Sequence, residues 1–226
     1  MKSLILISYV VTWLLWGCIN QSKPETSTKT LDSANIPNPS VTTADNTSNK
    51  ENVPPADQAT REKAYQDYMT PGPMHKLLAS LNGEWQGDVT FWPAPGAPPI
   101  KSTSSVVNQM LYGGLYQEGI HKNTMNGKPY ETKLIWGYDN LKKKFFILAI
   151  DNMGSGFGHL EGTYDTTSKI FNFVLRKTDL VTGEDNLSRE VRKIVTTDRQ
   201  EMKMYQVDKK TGNEYQSLEI IYTRKK

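Results

Sequence analysis

Ten short segments of alternating apolar and polar residues follow one another between positions 84 and 224. They run over 84–92, 102–111, 115–125, 129–138, 144–151, 157–164, 170–178, 187–197, 201–208 and 214–224. Turn signals separate nearly all of them, among them Pro93 to Pro99, Gly113-Gly114, Asn126-Gly127, Asp139-Asn140, Gly154-Ser155-Gly156, Thr182-Gly183 and Thr211-Gly212-Asn213. Period-two alternation places Trp85, Gly87, Val89 and Phe91 on one side of the first segment. Tyr130, Leu134, Trp136 and Tyr138 share a side of the fourth, and Leu218, Ile220 and Tyr222 a side of the last. Connections this short join antiparallel neighbours. Strands with one apolar face each and no long helix to cover them protect their edges by closing on themselves. The expected fold is all-β, an antiparallel up-and-down barrel of about ten strands. A two-layer sandwich is the alternative, and it would need longer crossovers.

Short helical segments precede the strands. Arg61 to Met69 is expected to be a helix with Thr60 as N-cap and Pro71 as its stop. Pro73 to Leu81 is expected to form a second helical turn, with Leu77, Leu78 and Leu81 as its apolar patch and Asn82-Gly83 as its end. The folding domain is thus 61–226, with helices in 61–81 and strands in 84–224.

The remainder of the 226 residues has another character. Ser, Thr, Asn and Pro supply 23 of the 42 residues from 19 to 60, with no aromatic and no glycine. The scattered Ile19, Leu31, Ile36, Val41 and Val53 bury too little to offset chain entropy, so 18–60 is expected to be a disordered tether. At the N-terminus, Lys2 precedes an apolar run from Leu4 to Trp16, broken by Ser8 and Thr12. The run is short for a membrane span, which needs about 20 residues, and suits the h-region of a secretory signal. Leu15-Trp16-Gly17-Cys18 then resembles a bacterial lipobox, in which the cysteine thiol takes a diacylglyceryl group before cleavage. Residues 1–17 are accordingly read as a lipoprotein signal peptide and Cys18, the single cysteine, as the lipid attachment site. The expected location is the bacterial cell envelope, lipid-anchored to a membrane with the domain in an aqueous compartment outside the cytoplasm.

A single cysteine excludes an intramolecular disulfide and any zinc site built on two thiolates. With 27 basic and 24 acidic residues the chain is too balanced to argue for nucleic acid, and no basic helix or aromatic-interleaved stripe alters that. Gly154-Ser155-Gly156-Phe157-Gly158 fits neither a dinucleotide fingerprint, which must open a helix, nor a nucleophile elbow.

Several separate stretches resemble one known family. They are Met69 to Leu78 (MTPGPMHKLL), Leu81 to Gly87 (LNGEWQG), Gly113 to Glu118 (GGLYQE), Gly137 to Lys143 (GYDNLKK), Asp151 to Gly154 (DNMG), Glu161 to Asp165 (EGTYD) and Glu219 to Lys225 (EIIYTRK). In this order, over about 69–226, they look like the domain of unknown function 1579 family. The resemblance implies a calycin-like barrel, of the group that includes lipocalins and fatty-acid-binding proteins, and implies no activity.

A barrel of this size can enclose one small hydrophobic or amphipathic molecule. Trp85, Phe91, Met110, Leu134, Trp136, Tyr205 and Tyr222 would line such a cavity if their faces point inward. Glu118, Asp151, Arg189 and Glu219 are the candidates to orient a head group. The other reading is that the aromatics fill the barrel and the charges pair at its rim, as in a structural or interaction protein of the envelope. An enzyme using interior carboxylates is a third, and no catalytic residue can be named. No cofactor is expected, haem having only weak support: His121 and His159 could each serve as a proximal ligand if it faced an apolar cavity. For a metal, the weak candidates are His159, Glu161 and Asp151. The expected partners are a membrane, through the lipid, and possible small lipophilic ligands.

Replacing the attachment residue, Cys18→Ala, should move the protein from the membrane to the soluble fraction on cell fractionation. Unchanged membrane association would refute the lipobox reading.

Overall fold

The computed structural model describes residues 56–226 apart from 126, 179–181 and 184. The stretches expected to be a signal peptide and a tether lie, through residue 55, outside the described residues. Two helices, α1 (Gln58–Met69) and α2 (Pro73–Ser80), precede the strands β1 (Gly83–Phe91), β2 (Ile100–Leu111), β3 (Tyr116–Met125), β4 (Lys128–Asp139) and β5 (Lys144–Asp151). The chain continues through β6 (Gly158–Asp165), β7 (Ile170–Thr178), β8 (Asp185–Thr196), β9 (Arg199–Val207) and β10 (Glu214–Arg224). Helix α1 begins three residues earlier than the spacing suggested. Its N-cap is Asp57, not Thr60, because the carboxylate accepts the Thr60 amide at 2.7 Å.

Each strand pairs antiparallel with the next, and β10 pairs with β1 from Trp85↔Arg224 to Phe91↔Leu218, so the sheet is a closed barrel. The up-and-down barrel expected from periodicity is the observed fold, and closure leaves it no free edge. Bulges interrupt the register between Ile194 and Thr196 and between Gln216 and Leu218. The turn before β10 illustrates why the hairpins form where they do. Asp208 accepts the Thr211 hydroxyl at 2.8 Å and the Lys210 amide at 3.1 Å, and Gly212 supplies the left-handed φ of 74°.

Buried apolar side chains fall into two clusters on opposite walls. One contains Leu134, Trp136, Phe145, Ile147, Leu160, Phe171 and Phe173 of β4–β7, together with Leu78 of α2. The other contains Trp85, Val89, Val106, Met202, Ile220 and Tyr222 of β1, β2, β9 and β10. Helix α2 lies across one end of the barrel, where Leu78 is fully buried. Helix α1 has no buried residue and is tied to the β4–β5 turn by Asn140, which donates to the carbonyls of Asp67, Tyr68 and Thr70.

On the wall with the larger cluster, β6 and β7 approach each other so closely that a Cβ on Gly162 would lie 2.2 Å from the Asn172 carbonyl and 2.5 Å from the Phe173 ring. Gly162→Ala should therefore destabilise the fold by about 1–3 kcal/mol, through overpacking against backbone. Gly154→Ala, whose Cβ would meet nothing within 4 Å, should be close to neutral. Urea titrations of both variants give the comparison, and equal stabilities would contradict the packing described.

Candidate functional site

The barrel interior is not apolar throughout. Its two apolar walls are separated by a polar seam made of His121 on β3, Glu190 and Arg192 on β8, and the hydroxyl of Tyr222 on β10. Strands β3 and β8 stand five places apart in the ring of ten, so they are diametrically opposed. Their side chains meet through the lumen and not along the sheet.

The Arg192 guanidinium donates through Nε to Glu190 Oε1 at 2.5 Å and lies over the Trp136 ring, 4.7 Å from its centroid. Only 11% of the Arg192 side chain and 4% of that of Glu190 are accessible. Burial opposes the charge on Arg192, and the neighbouring Glu190 carboxylate together with Tyr222 more than offsets it, so the guanidinium is held above its ordinary range. The rings of His121 and Tyr222 meet edge to face at 6.3 Å. Burial, and then the Arg192 charge, push His121 down to about 3, while burial pushes Tyr222 up to about 12. Both are therefore uncharged in neutral solution.

Beside the seam, the buried Ser104 Oγ and Asn123 Oδ1 have no hydrogen-bond partner among the described residues. Gly87 and Gly119 make room there: a Cβ on Gly87 would come within 2.4 Å of Ser104 Oγ, and one on Gly119 within 2.8 Å of Asn108 Oδ1. A shallow depression of about 550 Å³ on the β1–β3 part of the sheet is lined mainly by the outward Gln86, Thr103, Ser105, Lys122 and Thr124 and reaches Ser102, Ser104 and Asn123. At the end of the barrel away from α2, the inward positions include the half-buried polar Ser102, Asn123, Tyr130, Thr132, Ser188 and Gln206 beside the apolar Val89, Ala149 and Leu175. This end is the more polar one.

Of the aromatic residues expected at the site, Trp85, Trp136 and Tyr222 are inside, at 1%, 5% and 4% exposure. Three of the charged candidates, Glu118, Arg189 and Glu219, are elsewhere, and the expectation that they orient a lumenal ligand is corrected by their register. Glu118 alternates with buried Gln117 and Gly119, faces outward and pairs with Lys133 at 2.8 Å and Gln109 at 3.0 Å. Arg189 lies outside, bonded twice to Glu214 at 3.1 and 2.6 Å and stacked on Tyr205 at 3.9 Å, which puts Tyr205 outside as well. Glu219 pairs with Lys203 at 3.3 Å on the outer face, between inward Leu218 and Ile220. Asp151, the register partner of inward Thr132, stands on the lumenal side at the exposed end of β5, where it accepts the Tyr130 hydroxyl at 3.4 Å and the Met153 amide at 2.8 Å. Phe91 is 40% exposed at the rim, whereas Met110 and Leu134 belong to the core.

His159 and Glu161 occupy the outer face of β6, with Glu161 paired to Lys144, so His159 cannot ligate anything in the lumen. They do not converge with Asp151, and no group of three or more metal-ligating side chains occurs among the described residues. His121 is the lumenal histidine of the two. Its inward side was not readable from Tyr116 and Ile120, which suggest the opposite face of β3, and Glu190 and Arg192 were missed because Leu187 and Val191 suggest the opposite face of β8.

A closed, single-domain, up-and-down barrel with one end covered by a short helix and a polar seam in its lumen is a calycin-like barrel. The chain belongs to the family described as "Protein of unknown function (DUF1579)", whose model matches residues 70–224. Among solved structures, it is similar to Rv2717c from M. tuberculosis, with 15% identity and a TM-score of 0.53 over 70% of this chain and 100% of that one. The S-type phycobiliprotein lyase CPES from Guillardia theta superposes with a TM-score of 0.48 at 8% identity, over 72% of this chain and 98% of that one. No curated protein matches the chain in sequence.

Because His121 is held neutral in the barrel, an unfolded chain takes up a proton there, near the ordinary 6.5, that the folded chain refuses until about 3. This contribution to stability is complete above pH 6.5 and is lost as pH falls towards 3. His121→Gln should therefore flatten the fall of unfolding free energy between about pH 6 and pH 4, by up to about 1.4 kcal/mol per pH unit. An unchanged slope in urea titrations across that range would mean that the ring titrates freely.

Proposed function

We propose that the barrel is a binding module for one small amphipathic molecule held in its lumen. The observation that carries this reading is the polar interior between the two apolar walls: the seam and, beside it, the enclosed Ser104 Oγ and Asn123 Oδ1, which have no partner among the described residues. A buried hydroxyl or amide oxygen left unpaired costs about 1–3 kcal/mol, so such groups take water or a ligand. Apolar walls with a few convergent polar groups are the usual composition of a small-molecule site. Entry at the end opposite α2 fits the small, polar, half-buried residues there. The proposal includes attachment to a membrane of the bacterial envelope through Cys18, for which the apolar run and the lipobox resemblance are the support. Such a protein would hold or present a lipophilic molecule near a membrane without exposing its apolar part to water.

Titration of the Cys18→Ala protein with the uncharged fluorophore N-phenyl-1-naphthylamine tests the lumen directly. Saturable binding of one molecule per chain is expected. Met204, which faces inward opposite Glu190, offers a plug. Met204→Trp should abolish uptake while the far-ultraviolet circular dichroism stays that of the parent. Absence of binding by the parent, or equal binding by the plugged variant, would refute the reading.

A further inference from the structure

We infer that the lumen selects an uncharged, hydrogen-bond-accepting head group, the carbonyl of an ester, amide or quinone, over an ionised carboxylate. The inference deepens the ligand-binding reading above and rests on it. It follows from which charges stand in the seam and which of their bonds are already used.

In the middle of the lumen the described ionisable groups are His121, Glu190, Arg192 and Tyr222. Arg192 and Glu190 form an ion pair, so their charges cancel. His121 and Tyr222 are neutral, and the buried Ser104 nearby has no charge to offer. A cation facing an apolar pocket alone would call for an anion. Here Glu190 already fills that role from two positions along the same strand, at 3% exposure. A carboxylate entering beside it would bring a second negative charge into a region of low dielectric with one cation for both. The desolvation it suffers would not be returned.

Hydrogen-bond donors, by contrast, are in surplus. Among the described residues the Arg192 guanidinium gives only Nε to Glu190, which leaves its two terminal amino groups for another acceptor. The Tyr222 hydroxyl, the Ser104 hydroxyl and whichever His121 nitrogen carries hydrogen face the same space. A neutral carbonyl oxygen can take two of these without changing the charge of the lumen. Its hydrocarbon part would lie on Trp136, Leu134 and Met202. An ammonium head finds the guanidinium in its way and has no free acceptor of matching charge.

The experiment uses equilibrium dialysis of the Cys18→Ala protein at about pH 7.5, where free fatty acids are ionised, against four probes of equal chain length: methyl dodecanoate, dodecanamide, dodecanoate and dodecylammonium. The ester and the amide should bind at least about tenfold more tightly than either ion. Glu190→Gln uncovers the Arg192 charge and should reverse the order, dodecanoate then binding at least about tenfold more tightly than the ester. The double variant Glu190→Gln, Arg192→Met, whose seam keeps no charge, should still bind the ester and the amide and should bind neither ion well. If Glu190→Gln does not fold, the four probes on the parent protein decide alone. Dodecanoate binding as tightly as the ester to the parent would overturn the head-group inference and leave lumenal binding standing. No binding of any probe, or binding that Met204→Trp leaves untouched, would overturn both.

Discussion

Helix α2 ends with carbonyl groups directed into the barrel, and the barrel supplies the donors for them. Gln117 donates to the Leu78 carbonyl at 2.6 Å, Trp85 and Asn108 both donate to that of Leu81 at 3.0 Å, and Arg224 reaches those of Ser80 and Asn82. The last carbonyls of a helix have no partner within it, and they carry the negative end of its dipole, so a guanidinium there is doubly favourable. Arg224 lies over the Trp85 ring at 4.2 Å and also holds Asp198 and the Thr197 carbonyl. One cation thus joins the last strand, the first strand, the β8–β9 turn and the helix. Without it the end of the barrel that α2 covers would expose both Trp85 and a set of unpaired carbonyls.

That capped end lets the other features of the interior exist. Once one end is sealed by Leu78 and the Arg224 network, the apolar walls need not meet over their whole height. The space between them is where Arg192 crosses from β8 to lie over Trp136 on β4, four strands away. An ion pair enclosed this way does little for stability, since desolvation consumes most of what the attraction returns. Its persistence in a lumen is better understood as a binding property than as a packing one. The outer face shows the opposite economy, with Lys133–Glu118, Lys203–Glu219 and Arg189–Glu214 pairs at the surface, where solvent screens them.

The fold was readable because its rule is local. Strict alternation in β1, β4 and β10, with glycine or Asx turns between strands, identified each element within a few residues, and shortness of the connections determined the neighbours. The site was less readable because parity fails where it matters. In β8, Leu187 and Val191 lie on the outer face, with Leu187 53% exposed, while Glu190 and Arg192 point inward. In β3, Tyr116 and Ile120 lie outside and Gln117, Gly119 and His121 inside. Apolar alternation in those strands therefore selects Glu118 and Arg189 in place of their lumenal neighbours. What decides their orientation is the opposing wall, which brings residues seventy positions apart into one seam and leaves no mark on the spacing within either strand.

Closure of the barrel by pairing β1 with β10 has a consequence for how the chain reaches its structure. The strands that complete the ring, through pairs such as Trp85 with Arg224, are the first and last of the sheet. The other pairings can form locally, hairpin by hairpin, as the chain lengthens, but the seal must wait for the end of synthesis and then cost the entropy of the whole loop. Until that moment both outer strands are open to pairing with another chain. The step that removes the edges is also the slowest to become available, so exposure to chaperones or to aggregation is concentrated in the interval before the C-terminal strand docks.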